Sequence, residues 1–345
     1  MIIVMRNDAT MEQCQRVEQR LKDMGFKTHP IYGEQQTVIG AIGDTKGAAL
    51  DAVLNMPGVE KIVPIMKPYK LVGRELKRDD TVIKVRDVSI GGEHLAVIAG
   101  PCAVENEDQI FEAARIVKSL GADILRGGAY KPRTSPYAFQ GLEELGLKML
   151  REAASEVDIP VVTEVLDTRD VELVSEYADI LQVGARNMHN FRLLREVGRS
   201  DKPVLLKRGL AATIEEWLLA AEYVMDAGNS QVILCERGIR TYETMMRNTL
   251  DLAAVALVKQ LSHLPVVVDP SHGTGLSALV PAMAKGAIAV GADGLMLEVH
   301  PDPSRALCDG QESLDPVQFG ILMDEVSKVA GALGKRLVNG KAKPA

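Results

Sequence analysis

Apolar residues recur with two different periods along the chain, and the change of period divides it. Over residues 1–66, strand-like runs at Met1 to Met5, Thr28 to Ile31, Thr37 to Ile42 and Val59 to Ile65 alternate with two helically spaced stretches. One stretch carries Met11, Cys14, Val17 and Leu21, the other Leu50, Val53 and Leu54. Spacings of three and four place such residues on one helix face, so the order βαββαβ predicts a small ferredoxin-like domain. No constellation of catalytic side chains stands in it, which predicts a binding or regulatory role. Residues 67–80 turn polar and basic, with one proline and one glycine, and predict a linker. From residue 81 to 345 the rhythm differs. Thr81 to Ile90, closed by Gly91-Gly92, predicts a short hairpin.

Eight short apolar runs then follow, at Leu95 to Ala99, Ala122 to Leu125, Val161 to Thr163, Ile180 to Val183, Val204 to Leu206, Val232 to Leu234, Val266 to Val268 and Gly294 to Leu297. Helical stretches such as Ile214-Trp217-Leu218-Ala221-Val224 separate most of them. Strands without a polar face belong to a parallel sheet covered by helices. Eight repeats over this length predict an α/β fold, a (β/α)₈ barrel of the TIM type, behind the ferredoxin-like domain. An open doubly wound sheet is the runner-up. The first run ends in Ala-Gly-Pro-Cys and lacks the glycine fingerprint such a sheet usually carries there.

Composition narrows the function. With 40 basic and 47 acidic residues the formal charge is -7, which argues against a general nucleic-acid or anionic membrane surface. Met1 to Met5 is too short for a leader or a membrane span, and no run of about eighteen apolar residues follows. Four scattered cysteines make no disulfide framework, so a cytoplasmic setting is expected.

Against this acidic background, Leu125 to Pro136 (Leu-Arg-Gly-Gly-Ala-Tyr-Lys-Pro-Arg-Thr-Ser-Pro) places Arg126, Lys131 and Arg133 among glycines and prolines. It reads as an oxyanion-gripping loop, with Gly127 and Gly128 allowing backbone to approach a ligand. In a barrel every strand delivers its C-terminal end to one rim. The exits carry Cys102; Arg126, Lys131 and Arg133; Glu164; Gly184-Ala185-Arg186; Lys207-Arg208; Glu236-Arg237 with Arg240; Asp269-Pro270-Ser271-His272; and Glu298 and His300, then Asp309. Each charge alone reads as a solvated loop residue. Eight cations on one rim predict a pocket for a ligand with more than one phosphate or carboxylate.

A second set overlaps the first. Cys102, His272, Glu298 and Asp309 come from strands one, seven and eight, neighbours in a closed barrel, and offer one sulfur, one nitrogen and two carboxylates. Such a set suits one divalent ion, Mn²⁺, Fe²⁺, Co²⁺ or Zn²⁺, without choosing among them. His300 reads as a neighbour of that set rather than a ligand. A serine triad is disfavoured, because Ser271 directly precedes His272. A Schiff base on Lys207 competes, but Arg208 beside it makes an anion clamp simpler.

The barrel resembles the 3-deoxy-D-arabino-heptulosonate 7-phosphate (DAHP) synthases of the type I beta form. The resemblance rests on Ala99-Gly100-Pro101-Cys102, Leu125 to Pro136, Gly184-Ala185-Arg186-Asn187, Leu206-Lys207-Arg208-Gly209, Cys235-Glu236-Arg237-Gly238, Asp269-Pro270-Ser271-His272 and Glu298-Val299-His300-Pro301. The first domain is similar to that of a feedback-inhibited branch. The resemblance implies condensation of phosphoenolpyruvate with erythrose 4-phosphate and water, the first step of the shikimate pathway. It further implies that Arg126, Lys131, Lys207 and Arg237 hold phosphoenolpyruvate, with Gly184, Ala185 and Arg186 nearby and Arg208 in the same set. Lys131, Pro132, Arg133, Thr134 and Ser135 would hold erythrose 4-phosphate. Lys131, Cys102 and His272 are the expected catalytic residues, and Glu164 is a candidate proton carrier. Also implied are a homotetramer and a tyrosine or phenylalanine effector on the first domain; no chorismate mutase segment is expected. The rival octulosonate synthase, which uses arabinose 5-phosphate, has an acceptor loop similar to Lys-Ala-Asn-Arg-Ser-Ser, whereas this chain has Lys131-Pro132-Arg133-Thr134-Ser135. A non-catalytic metabolite-sensing barrel is the other alternative. Cys308, next to Asp309, is expected near Cys102, where oxidation could pair the two.

Overall fold

The computed structural model describes residues 1–33, 36–43, 50–63, 67–133 and 135–338. Two compact units result, one of residues 1–79 with 261–263, the other of residues 80–260 with 264–345. In the first, strands β1 (Ile2–Met5), β2 (Lys27–Tyr32), β3 (Thr37–Ile42) and β4 (Val59–Val63) form an antiparallel sheet in the order β2-β3-β1-β4. The helix Met11–Asp23 starts at a capping box, in which Thr10 and Gln13 satisfy each other's backbone N–H groups. Its Cys14, Val17 and Leu21 are buried with Ile3, Ile39 and Val59. A second, short helix spans Leu50–Leu54, completing the βαββαβ order. The predicted end of the last strand at Ile65 lies outside the described residues.

Residues 67–80 do not form a solvated tether. Tyr69, Leu71, Val72 and Leu76 are buried. Ser262 Oγ donates to Val72 O at 2.6 Å, and the His263 ring lies 2.8 Å from Leu71 O. The basic residues dominate the composition of the segment, while the apolar ones between them fix its place.

In the second unit β5 (Ile83–Val85) and β6 (Val88–Ile90) pair as the expected hairpin, but the turn is Arg86-Asp87, not Gly91-Gly92. The register Val85↔Val88 leaves a two-residue loop, and Arg86 adopts φ 55° to close it. Eight parallel strands follow: β7 (His94–Gly100), β8 (Ile124–Arg126), β9 (Val161–Glu164), β10 (Ile180–Val183), β11 (Val204–Lys207), β12 (Val232–Glu236), β13 (Val266–Val268) and β14 (Gly294–Glu298). Each pairs with the next, and β14 pairs back with β7, which closes the barrel. Alternate residues such as Ile98, Ile124, Val162, Leu205, Ile233 and Val267 fill its interior, and the hairpin residues Ile83, Val85, Val88 and Ile90 pack on them from one end.

Near the start of the barrel strands an Ala-Asp pair recurs. Asp123, Asp179 and Asp293 immediately precede β8, β10 and β14. Their carboxylates accept from Val97, Val161 and Val266 N–H at 2.7, 2.8 and 2.9 Å, while each aspartate's own N–H donates to the carbonyl of the same valine. Arg151 neutralises Asp179, and Lys259 and Lys335 neutralise Asp293. No helix among the described residues is long and apolar enough to cross a membrane.

Candidate active site

The opposite end of the strands gathers the predicted chemistry. Cys102 follows β7, Arg126 ends β8, Glu164 ends β9, Lys207 ends β11 and Glu298 ends β14. After β13, Asp269 caps the one-turn helix Pro270–Thr274, accepting from His272 N–H at 3.0 Å, and Pro270 begins it without a donor to satisfy. This turn aims His272 inward. Asp309 reaches the same point from a loop, in the left-handed region at φ 54°, a conformation that a non-glycine residue holds only when its surroundings impose it.

One ligand atom from each of Cys102, His272, Glu298 and Asp309 lies within 4.8 Å of all the others. Cys102 Sγ is 3.0 Å from Asp309 Oδ2, and His272 Nε2 is 3.5 Å from Glu298 Oε1 and 4.0 Å from Asp309 Oδ2. His272 Nδ1 faces Asp269 Oδ2 at 2.8 Å, which leaves Nε2 as the nitrogen turned into the group. Burial, against the pull of Asp269, lowers His272 to about 4, so its imidazole is neutral at physiological pH and available as a ligand. Glu298 Oε2 is buried without a hydrogen-bond partner, and Glu312 brings a third carboxylate within 3.9 Å of His272 Nε2. An unpartnered buried oxygen in a crowd of carboxylates fits a cation. The mixed sulfur, nitrogen and oxygen donors fit a divalent transition ion.

Beside this group a cavity of about 300 Å³ is lined by seven cations, Arg126, Lys131, Arg133, Arg186, Lys207, Arg237 and Arg247. Pro132, Ser135, Glu164, Gly184, Ala185, His272 and Asp309 also line it. The cations are not equivalent. Arg126 pairs with Glu298 at 2.6 Å and donates to Cys102 O; Lys131 Nζ sits 2.9 Å from Cys102 Sγ; Lys207 pairs with Asp269 at 2.7 Å. These three tie the cavity to the ligand group. Burial opposes the charge on Lys131, but the sulfur of Cys102 outweighs it and raises the lysine, which stays an ammonium. Arg133 and Arg186 keep their guanidinium groups clear of side-chain partners among the described residues.

Three expectations change. Arg208 does not line the cavity: its guanidinium is buried against Glu236 at 2.9 Å and Asp251 at 3.0 Å, and Nε donates to Ala212 O. Gly127 and Gly128 yield to protein rather than ligand, since a Cβ on Gly128 would meet Cys102 O at 2.9 Å and one on Gly127 would meet Leu150 and Val104. The glycine that does border the cavity is Gly184, where a Cβ would run into the Glu164 carboxylate. Thr134 lies outside the described residues. His300 stands off the group, with Nε2 3.6 Å from Glu105. Cys308 packs with Cys102 and Ala103, and both thiols are free.

Sequence reading missed Arg247, Gln182 and Glu312, and it named Asp269 without assigning it a task. Gln182 donates to Glu164 at 3.3 Å, and Arg247 binds Glu312 at 2.6 and 2.7 Å. Asp269 carried a signal, an aspartate before Pro-Ser-His after an apolar run, which is a helix N-cap pattern. Arg247 sits in an irregular stretch and Glu312 ends a single 3-10 turn, Gly310–Glu312, neither with such a mark.

Residues 76–331 match the DAHP synthetase I family, and residues 1–67 match the DAHP synthase ferredoxin-like domain. The chain belongs to the DAHP synthetase I family. A phospho-2-dehydro-3-deoxyheptonate aldolase of Thermotoga maritima is 50% identical over 337 residues, covering 98% of this chain and 100% of the relative. The crystal structure of the Thermotoga maritima DAHP synthase superposes with a TM-score of 0.78 over 97% of this chain and 98% of that one, at 50% identity. A truncated form of the Thermotoga enzyme covers 78% of this chain with a TM-score of 0.73. A 2-dehydro-3-deoxyphosphooctonate aldolase of Syntrophotalea carbinolica is a more distant relative of this DAHP synthetase, 36% identical over 67% of the chain and 90% of its own length.

Proposed function

We infer that this DAHP synthetase condenses phosphoenolpyruvate with D-erythrose 4-phosphate and water to give DAHP and inorganic phosphate, at the head of the shikimate pathway. One observation carries the reading: an anion-gripping cavity and a four-residue ligand group share His272 and Asp309 at one rim, and Lys131 and Arg126 of the cavity touch Cys102 and Glu298 of the group. A divalent ion held by Cys102, His272, Glu298 and Asp309, whether Mn²⁺, Fe²⁺, Co²⁺ or Zn²⁺, would polarise the aldehyde of the acceptor. Lys207, Arg237 and Arg186 hold the phosphate and carboxylate of phosphoenolpyruvate, with the Gly184-Ala185 backbone beside them. Arg133 and Ser135, with Pro132, face the acceptor phosphate. The enol carbon bonds to the aldehyde carbon, water adds to the carbon that bore the phosphate ester, and phosphate leaves with C–O cleavage. Lys131, an ammonium between cavity and ligand group, can give a proton to the new alkoxide, while Glu164 stands where a proton can be taken up.

Release of phosphate from phosphoenolpyruvate should require erythrose 4-phosphate and a divalent ion. Release with arabinose 5-phosphate alone would favour the octulosonate reaction, and none at all would favour a sensor. The first domain, residues 1–66, supports a regulatory reading. Tyrosine or phenylalanine should inhibit the enzyme, and a chain beginning at residue 67 should lose that inhibition while keeping activity; unchanged inhibition would refute it. A cytoplasmic homotetramer accords with this reading, and sedimentation would test the assembly.

A further inference from the structure

The ligand group is approached from two sides that differ in charge. On one side is the cationic cavity with its seven cations. On the other, a second cavity of about 470 Å³ lies among Thr244, Met245, Arg247, Asp309, Gln311 and Glu312. Asp309 and Arg247 line both. A dication entering by the cationic cavity would run among Arg133, Arg186, Arg237, Lys131 and Arg126 of its lining, a path that attracts anions and repels it. The second cavity presents two carboxylates against Arg247, its one lining cation among the described residues.

Glu312 bridges that cavity and the group. Its Oε1 is 3.9 Å from His272 Nε2, and both its oxygens are held by Arg247, which also stands 3.3 Å from Asp309. The Arg247 side chain is 35% exposed, so it has room to leave, whereas Glu312 is fixed and buried. We propose that the divalent ion enters and leaves through this second cavity, with Glu312 the first carboxylate to take it and Arg247 the side chain that gives way. The inference rests on the ion-site reading above. It separates traffic: anionic substrates use the cationic mouth, the ion uses the acidic one, and a substrate filling the cationic cavity does not need to leave for the ion to exchange.

The test is the rate of loading, not activity. Metal-stripped protein is mixed with Co²⁺, and the thiolate-to-cobalt absorbance of Cys102 is followed, with Cys102→Ser as the blank. Gln311 is exposed and lies at the second mouth. Gln311→Arg should slow loading about three- to tenfold and Gln311→Glu should speed it by a similar factor, both ending at the parent spectrum. Arg133→Glu, at the other mouth, should leave the rate within about twofold. Glu312→Gln should slow loading and stripping by a chelator together. A rate that follows Arg133 and ignores Gln311, or ignores both, would overturn the route while leaving the ion site standing. Absence of any Cys102-dependent band in the parent protein would remove the site and the route together.

Discussion

The two ends of the barrel bury the same chemical group to opposite effect. At one end Asp123, Asp179 and Asp293 each grip a backbone N–H, and lysine or arginine answers the charge of the last two. At the other, Glu298, Asp309 and Glu312 converge on a single imidazole nitrogen, and Glu298 Oε2 has no hydrogen-bond partner among the described residues. Carboxylates that each clasp a backbone N–H hold a fold together. Buried carboxylates crowded on one another are held in place by the fold and await a cation.

This contrast can be broken by substitution. The largest effect is expected at the crowded end: Cys102→Ser or Glu298→Gln should lose the bound ion and cut kcat by about a thousandfold, corresponding to several kcal/mol of transition-state stabilisation. Metal content after gel filtration checks it; with the ion stripped, Cys102→Ser should hardly move the thermal midpoint, whereas Glu298→Gln also removes the charge facing the buried Arg126 and should lower it. At the satisfied end the pattern inverts. Asp293→Ala takes the buried carboxylate from Lys259 and Lys335 and leaves Val266 N–H without its acceptor. It should cost about 3 kcal/mol of stability by denaturant titration, with kcat of the folded fraction unchanged. Asp269 lies between the two cases, being satisfied by Lys207 and aimed at His272. Asp269→Asn should weaken the ion about 10- to 100-fold in a competition assay with a chromogenic chelator, while the chain stays folded. Smallest and most selective, Arg133→Ala should raise KM for erythrose 4-phosphate about tenfold and leave that for phosphoenolpyruvate nearly unchanged. Equal effects on both substrates would dissolve the assignment of Arg133 to the acceptor.

The barrel was legible because its strands are uniformly apolar and their exits fall at fixed places, so Cys102, His272 and Glu298 could be put on one rim from spacing alone. Asp309 was reached through its place after the last strand. What the pattern hid depends on side-chain direction or on loop path. Lys207 and Arg208 are neighbours at a strand exit; the lysine enters the cavity while the arginine turns to Glu236 and Asp251, and composition cannot tell those fates apart. Arg247 arrives through an irregular stretch ten residues beyond Arg237. The hairpin turn at Arg86-Asp87 carries no glycine, so the glycines after it drew the prediction away. In residues 67–80 charge outnumbers apolar side chains, yet the buried Tyr69, Leu71, Val72 and Leu76 decide the structure.

The Ala-Asp pairs also bear on the order in which the barrel comes apart. Each aspartate fastens a strand to its predecessor at two points on one residue, uniting β7 with β8, β9 with β10 and β13 with β14. Before β12 the corresponding position is Gln231, whose carbonyl accepts from Val204 N–H without a side-chain clasp. Three of the barrel's eight seams are stitched in this way, and β11 and β12 belong to no stitched pair. Cooperative unfolding units follow such local fastening, so the amides of Val97, Val161 and Val266 should exchange with solvent more slowly than that of Val204, and partial opening should begin at seams without a clasp, around β11 and β12.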